Sequence, residues 1–224
     1  MNIRPYKQGE LDRLCSLYAL INAVRSTGFK LTRLQTQAIA DGIIENLSSD
    51  DLKALMLGGA EHKEVMKLVH RLNKVFHDVY DKQIEVMRAY RHKTPDFETV
   101  LFDMEHERSC NSGVIVRFFS NTLDHYSVFD RIEAERIKLI DSAYIASLPL
   151  KEASVGYRTR YTLRTDGIYY LRLLNLNKCT LIQIFEVFRR ILRFFERSKT
   201  VVKNDTFINV KFFYFNEDFR EAMP

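Results

Sequence analysis

The chain has 224 residues, a length typical of one large domain or of one domain with an extension. Apolar residues make up 46% and charged residues 28%, with 8 Gly and 4 Pro, which excludes disordered, collagen-like and low-complexity chains. Lys and Arg number 34 against 29 Asp and Glu, which gives a net charge of +5. This surplus is small, and we do not expect nucleic acid as a partner.

The three cysteines, Cys15, Cys110 and Cys179, are irregularly spaced, with no CxxC motif and no neighbouring histidine at metal-ligand spacing. We therefore expect a reducing compartment, no metal and no cofactor. The first residues are charged, and no apolar run approaches ~18 residues, so no signal peptide or membrane span is predicted. These features favour a cytoplasmic protein and leave secretion by a signal-independent route open.

Residues 13–80 are predicted to be helical. Leu14, Leu17, Tyr18, Ile21 and Val24 recur at intervals of three or four, which predicts a helix over 13–26 that ends before Gly28. The same periodicity predicts helices over 32–46, 50–57 and 61–80. Three histidines of the last helix, His62, His70 and His77, are too widely spaced to bind one metal ion, and we interpret them as surface residues.

The pattern changes to strands after residue 112. Short runs of β-branched and aromatic residues predict strands over 113–119, 125–132 and 136–141. Two more are predicted over 157–164 and 167–173, joined by a turn at Thr165-Asp166 with Gly167 beside it. Helices followed by antiparallel strands indicate the α+β class.

The last fifty residues are interpreted as an extension. A helix is predicted over 180–197 and a strand over 201–215, so we divide the chain into a core, 1–174, and an extension, 175–224. One side of that helix carries arginines, which either are solvated or bind an acidic protein or an anionic membrane surface: Arg189, Arg190, Arg193 and Arg197.

Cys15 stands at the beginning of the first predicted helix. Unpaired backbone N–H groups and the positive end of the helix dipole favour a thiolate there, as a nucleophile requires. His125 opens one predicted strand, and Asp141 ends the next. Because adjacent antiparallel strands bring the start of one beside the end of the other, the two side chains are predicted to meet. Such a pair suits the activation of a cysteine, although Cys15 alone would equally fit a small buried apolar residue.

Together these residues resemble a known group of enzymes. Gln8, the helix CSLYALINA at 15–23, the strand HYSV at 125–128 and the strand LIDS at 139–142 are similar to the papain-like cysteine peptidase superfamily, and most to the C39-like peptidases. The resemblance implies a papain-like α+β fold. It also implies that Cys15 is the nucleophile, His125 the general base and Asp141 the orienting carboxylate, with Gln8 and the backbone N–H of Cys15 as the oxyanion hole.

The expected function is therefore that of a cysteine peptidase or amidase/deamidase that acts on a protein or peptide amide through an acyl-thioester. Two alternatives stay open. One is a catalytically silent protein-binding module of the same fold, and the other is a transglutaminase or acyltransferase that uses the same triad. A bacterial effector or toxin, a housekeeping peptidase and a processing enzyme would share these sequence features.

Overall fold

A computed structural model describes residues 14–58, 60–91, 94–156 and 159–176, with the side chains of 57 and 58 excepted. These residues belong to one unit that spans residues 1–179. The predictions for Gln8, Cys179, the helix over 180–197 with its four arginines, and the strand over 201–215 lie outside the described residues. No helix in the described ranges is both long and apolar enough to cross a membrane.

The first part of the chain is helical, as predicted. The described helices are α1 (Cys15–Ser26), α2 (Arg33–Glu45), α3 (Ser49–Gly58), α4 (His62–Tyr80) and α5 (Phe97–Ser109). Helix α2 begins with a capping box, in which Thr32 accepts from the backbone of Gln35 and Gln35 accepts in return. The sequence predicted α1 to α4 within two residues of their bounds and did not predict α5.

Seven strands in the described part of the chain form one sheet in the order β1-β7-β2-β3-β4-β5, and β6 pairs in parallel with β7 outside that path. The strands are β1 (Lys82–Arg88), β2 (Gly113–Phe119), β3 (Asp124–Glu133), β4 (Arg136–Ile140), β5 (Ser147–Pro149), β6 (Ala153–Val155) and β7 (Tyr161–Asn175), with a short 3₁₀ helix over Leu150–Glu152. All pairs along the path are antiparallel. Helices followed by a largely antiparallel sheet confirm the α+β class.

The sheet has a hydrophobic cluster on each face. Along β2, Ile115 belongs to the cluster with α1, α2 and α4, whereas Val114 and Val116 belong to the cluster with α5. Successive strand residues point to opposite faces, so the two clusters lie on either side of the sheet. Helix α1 comes very close to β2, because a Cβ at Gly113 would stand 2.4 Å from the backbone oxygen of Ala23. This approach fixes α1 on the sheet.

One prediction is wrong. Residues 161–164 and 167–173, predicted to lie in two strands, belong to the single strand β7, and no turn separates them. Both parts pair with β2, and the register shifts from Arg117 opposite Arg164 to Ile115 opposite Tyr169. The residues that were interpreted as a turn form an irregularity in a continuous strand. Gly167 is needed there because a Cβ would lie 2.5 Å from the Cβ of Arg117.

Candidate active site

The start of α1 and the ends of two strands meet at one place. Cys15 is the first residue of α1, and no side chain caps the helix at Leu14. His125 is the second residue of β3, and Asp141 directly follows β4. Val128 pairs with Ile140, which carries the two strands in register toward these residues. The structure thus brings together three of the four residues predicted for the site, and the fourth, Gln8, lies outside the described residues.

His125 and Asp141 form a buried hydrogen-bonded pair. The Nε2 atom of His125 lies 2.6 Å from Oδ1 of Asp141, and the two side chains are 3% and 1% exposed. The other carboxylate oxygen, Oδ2, accepts from the backbone N–H of Ala143 at 2.6 Å and of Ile145 at 3.0 Å. Both oxygens of Asp141 are therefore fixed, and the carboxylate holds the imidazole in one orientation.

His125 binds a proton more tightly than a free histidine does. Burial opposes its charged form, but hydrogen bonds to Asp141 and to Cys15 outweigh burial and raise the pKa of His125 to about 9. Burial also disfavours the Asp141 carboxylate, but the hydrogen bond and charge of His125 lower the pKa of Asp141 below its usual value. With Nε2 occupied by Asp141, Nδ1 is the nitrogen left to exchange a proton with the thiol.

Sequence analysis missed the residues that surround His125. Phe118 stacks its edge against the imidazole, with ring centroids 5.7 Å apart. Arg117, buried in β2, bonds to Asp124 and to Glu61. One signal was present, because an arginine inside the apolar run GVIVRFF indicates a buried ion pair. Its partner Glu61 is 56 residues away in sequence, and no local pattern predicts that contact.

A cavity of about 780 Å³ lies at the end of β2, beside β7. It is lined by residues 119–121 at the end of β2, by Val155 and Gly156, by residues 162–166 of β7, and by Thr94 and Thr159. Phe119 of this lining pairs with Asp124, the neighbour of His125. The lining of the cavity therefore includes a residue of β2 that pairs with the neighbour of His125.

Other predicted features lie elsewhere. Cys110 is a free, exposed cysteine at the end of α5. His62, His70 and His77 are all exposed on α4, as predicted, and Nδ1 of His62 also lies 3.0 Å from the hydroxyl of Tyr169. Within the described ranges, no group of three or more His, Cys, Asp and Glu side chains is arranged to hold a metal ion.

Comparison with known proteins gives a structural likeness but no sequence match. No protein-family profile matches the chain, and no curated protein matches it at a significant level. A solved structure, the peptidase domain of Streptococcus ComA, a bifunctional ABC transporter involved in quorum sensing, is similar at 11% identity and a TM-score of 0.42. The match covers 77% of this chain and 98% of that chain. At this level the likeness establishes neither fold family nor activity, so function must be argued from the site residues.

Proposed function

We propose that the protein is a papain-like cysteine hydrolase that cleaves a protein or peptide amide through Cys15, His125 and Asp141. The observation that carries this proposal is the buried hydrogen bond between His125 and Asp141, with Cys15 at the start of α1 contributing to the raised pKa of His125. A histidine used only for packing would not need an ionised carboxylate on one side and a thiol at a helix start on the other. The arrangement instead meets the requirements for an activated thiolate.

The reaction follows from the positions of the protons. The thiol proton passes to His125, and the thiolate of Cys15 attacks the carbonyl carbon of the amide. Imidazolium then donates its proton to the leaving nitrogen, the C–N bond breaks, and a thioester remains. His125 next takes a proton from water, which attacks the thioester and releases the acid and the thiol. Backbone N–H groups at the start of α1, with Gln8 proposed as a second donor, would bind the oxyanion.

The test is the pH dependence of alkylation in the full-length protein. Iodoacetamide is added between pH 4 and 10, and mass spectrometry follows Cys15 and, as an internal reference, the exposed Cys110. Cys15 is 7% exposed and Cys110 is exposed, so access alone would make Cys15 the slower of the two. We expect Cys15 to be alkylated faster than Cys110 near neutral pH, because a thiol beside an imidazole at a helix start is the better nucleophile.

Two histidine variants complete the experiment. His125→Ala should slow alkylation of Cys15 near neutral pH to below the rate of Cys110. His106→Ala, on the exposed end of α5, is the matched control and should change nothing. A Cys15 rate no higher than that of Cys110 in the unsubstituted protein, and not lowered by His125→Ala, would rule out the proposed nucleophile. Peptide cleavage, ammonia release from glutamine peptides, or amine incorporation by the alkylation-competent protein then separates peptidase, deamidase and transglutaminase.

A further inference from the structure

Arg117 contacts the residues on both sides of His125. Its Nε and Nη2 atoms donate to the two carboxylate oxygens of Asp124 at 2.8 and 2.7 Å. Its guanidinium also lies over the ring of Tyr126, 5.3 Å from the centroid. Asp124 precedes His125 and Tyr126 follows it, so one side chain restrains the backbone segment that carries the imidazole.

The same guanidinium is tied to the helical layer. Nη1 and Nη2 of Arg117 donate to the two oxygens of Glu61 at 3.1 and 2.8 Å. Glu61 is the N-cap residue of α4, but its side chain does not cap that helix. Instead, the hydrogen bond from Arg117 is the main cause that lowers the pKa of Glu61. The carboxylate is thus held ionised against the arginine.

Because Arg117 is buried, its charge must be paired within the protein. The side chain is 6% exposed, whereas those of Asp124 and Glu61 are 41% and 67% exposed. A buried guanidinium needs paired acceptors, and two bidentate carboxylates supply them in fixed directions. Lysine carries the same charge but cannot form two such forks. The geometry therefore depends on arginine, which a requirement for positive charge alone would not explain.

We propose that Arg117, through Asp124, is a positioning residue that holds His125 at the distance and angle at which it pairs with the Cys15 thiolate. This inference rests on the proposed function, because it assigns Arg117 a part in the same chemistry. Arg117 does not touch the thiol. It acts by fixing Asp124 and Tyr126, while the neighbouring Phe118 limits rotation of the imidazole from the β2 side.

The experiment repeats the alkylation profile on Arg117→Lys and Asp124→Asn in the full chain. We expect both to slow alkylation of Cys15 at pH 7 by roughly 10–100-fold, as misplacement of a reacting group by an ångström does. The pH profile of the Cys15 rate should change as well, because a loosened imidazole activates the thiol less, whereas the profile of Cys110 should stay the same. Arg172→Lys is the matched control, since Arg172 is likewise bonded to both oxygens of one carboxylate, Glu107, and should leave the profile unchanged.

The outcomes separate the two proposals. Fast alkylation of Cys15 that persists in both Arg117→Lys and Asp124→Asn would overturn the positioning role and leave the proposed function standing. A Cys15 rate no higher than that of Cys110 in the unsubstituted protein, and not lowered by His125→Ala, would overturn both. Circular dichroism checks folding. If Arg117→Lys unfolds, Asp124→Asn decides, because its side chain is partly exposed and the change is isosteric.

Discussion

At the scale of single residues, the third member of the site is a carboxylate for a reason that the sequence pattern did not contain. In papain-like sites an acceptor for the imidazole N–H is the essential requirement, and asparagine can meet it with one oxygen. Asp141 meets a second requirement, since its Oδ2 accepts from Ala143 and Ile145. Both oxygens must be acceptors, which an amide cannot supply.

Asp141→Asn should therefore be damaging although it conserves shape. Whichever way the amide is turned, its NH₂ group faces either the Nε2–H of His125 or the two backbone N–H groups. We expect unfolding in urea to lose about 1–3 kcal/mol, the cost of an unsatisfied buried polar group, and hydrolysis to fall in parallel.

Asp96→Asn is the control for that change. Asp96 caps α5 through one hydrogen bond, from the N–H of Thr99 to Oδ1, and asparagine is an equally good N-cap. Its stability should stay within a few tenths of a kcal/mol of the unsubstituted protein. Equal stability and full activity in Asp141→Asn would contradict the requirement for two acceptors.

At the scale of elements, the position of α1 on the sheet is set by the absence of a side chain at Gly113. Ala23 lies above that glycine, and Cys15 is about 12 Å away at the other end of the helix, given a rise of about 1.5 Å per residue. A displacement at Ala23 tilts the helix. Close packing at one end therefore determines where the thiol stands at the other.

Gly113→Ala tests this packing. The new Cβ would stand 2.4 Å from Ala23 O, a backbone atom that cannot rotate away, so we expect a loss of roughly 1–3 kcal/mol in urea unfolding. Gly42→Ala, in the interior of α2 with no atom within 4 Å of the new Cβ, should instead gain about 0.5–1 kcal/mol. Equal effects at both positions would show that the approach of α1 to β2 is not tight.

Helix α4 could be predicted and α5 could not, because only α4 has a regular stripe of buried apolar residues. Helix α4 buries five side chains at regular intervals and was predicted, whereas α5 buries only Val100 and Met104 and was missed. Strand β1 buries Ile84 alone and was missed for the same reason. The turn predicted near Gly167 was wrong because a glycine that permits a turn equally permits a close approach, here to Arg117.

The contacts of the candidate site also differ in whether the sequence could predict them. His125 and Asp141 could be predicted as neighbours because strand adjacency is read from short segments. Arg117 lies in β2, and Glu61 stands at the start of α4, 56 residues earlier in the sequence. Their contact forms only when the helices have packed on the sheet. The loop that binds Oδ2 of Asp141 depends on a backbone path in which Tyr144 has a φ of 69°, a conformation that its residue type does not favour.

At the scale of the whole molecule, the candidate site combines the N-terminal helices with the sheet. The thiol comes from the helices, and the imidazole and carboxylate come from the sheet. Neither layer alone contains all three groups, so the site forms only when the helices have packed on the sheet. The buried ionised pair should therefore appear in the pH dependence of global stability.

The sign of that dependence follows from the two pKa values. The pKa of His125 is raised from 6.5 to about 9, so the native state binds this proton more tightly than the unfolded state. Its contribution is complete below pH 6.5 and is lost as the pH rises through about 9. The pKa of Asp141 is lowered from 3.8, so its contribution is present above pH 3.8 and is lost as the pH falls through the native value.

We therefore expect the His125 contribution to the free energy of unfolding to fall by up to ~3 kcal/mol as the pH rises from 6.5 through about 9. Urea titrations at several pH values measure this loss in Cys15→Ser, in which no thiol exchanges its proton with the imidazole and the hydrogen bond to Asp141 remains. Cys15→Ser combined with His125→Gln, which cannot titrate, should lack the loss. An equal fall in both proteins would assign the pH dependence to other groups, and the buried imidazolium would then have no place in the native state.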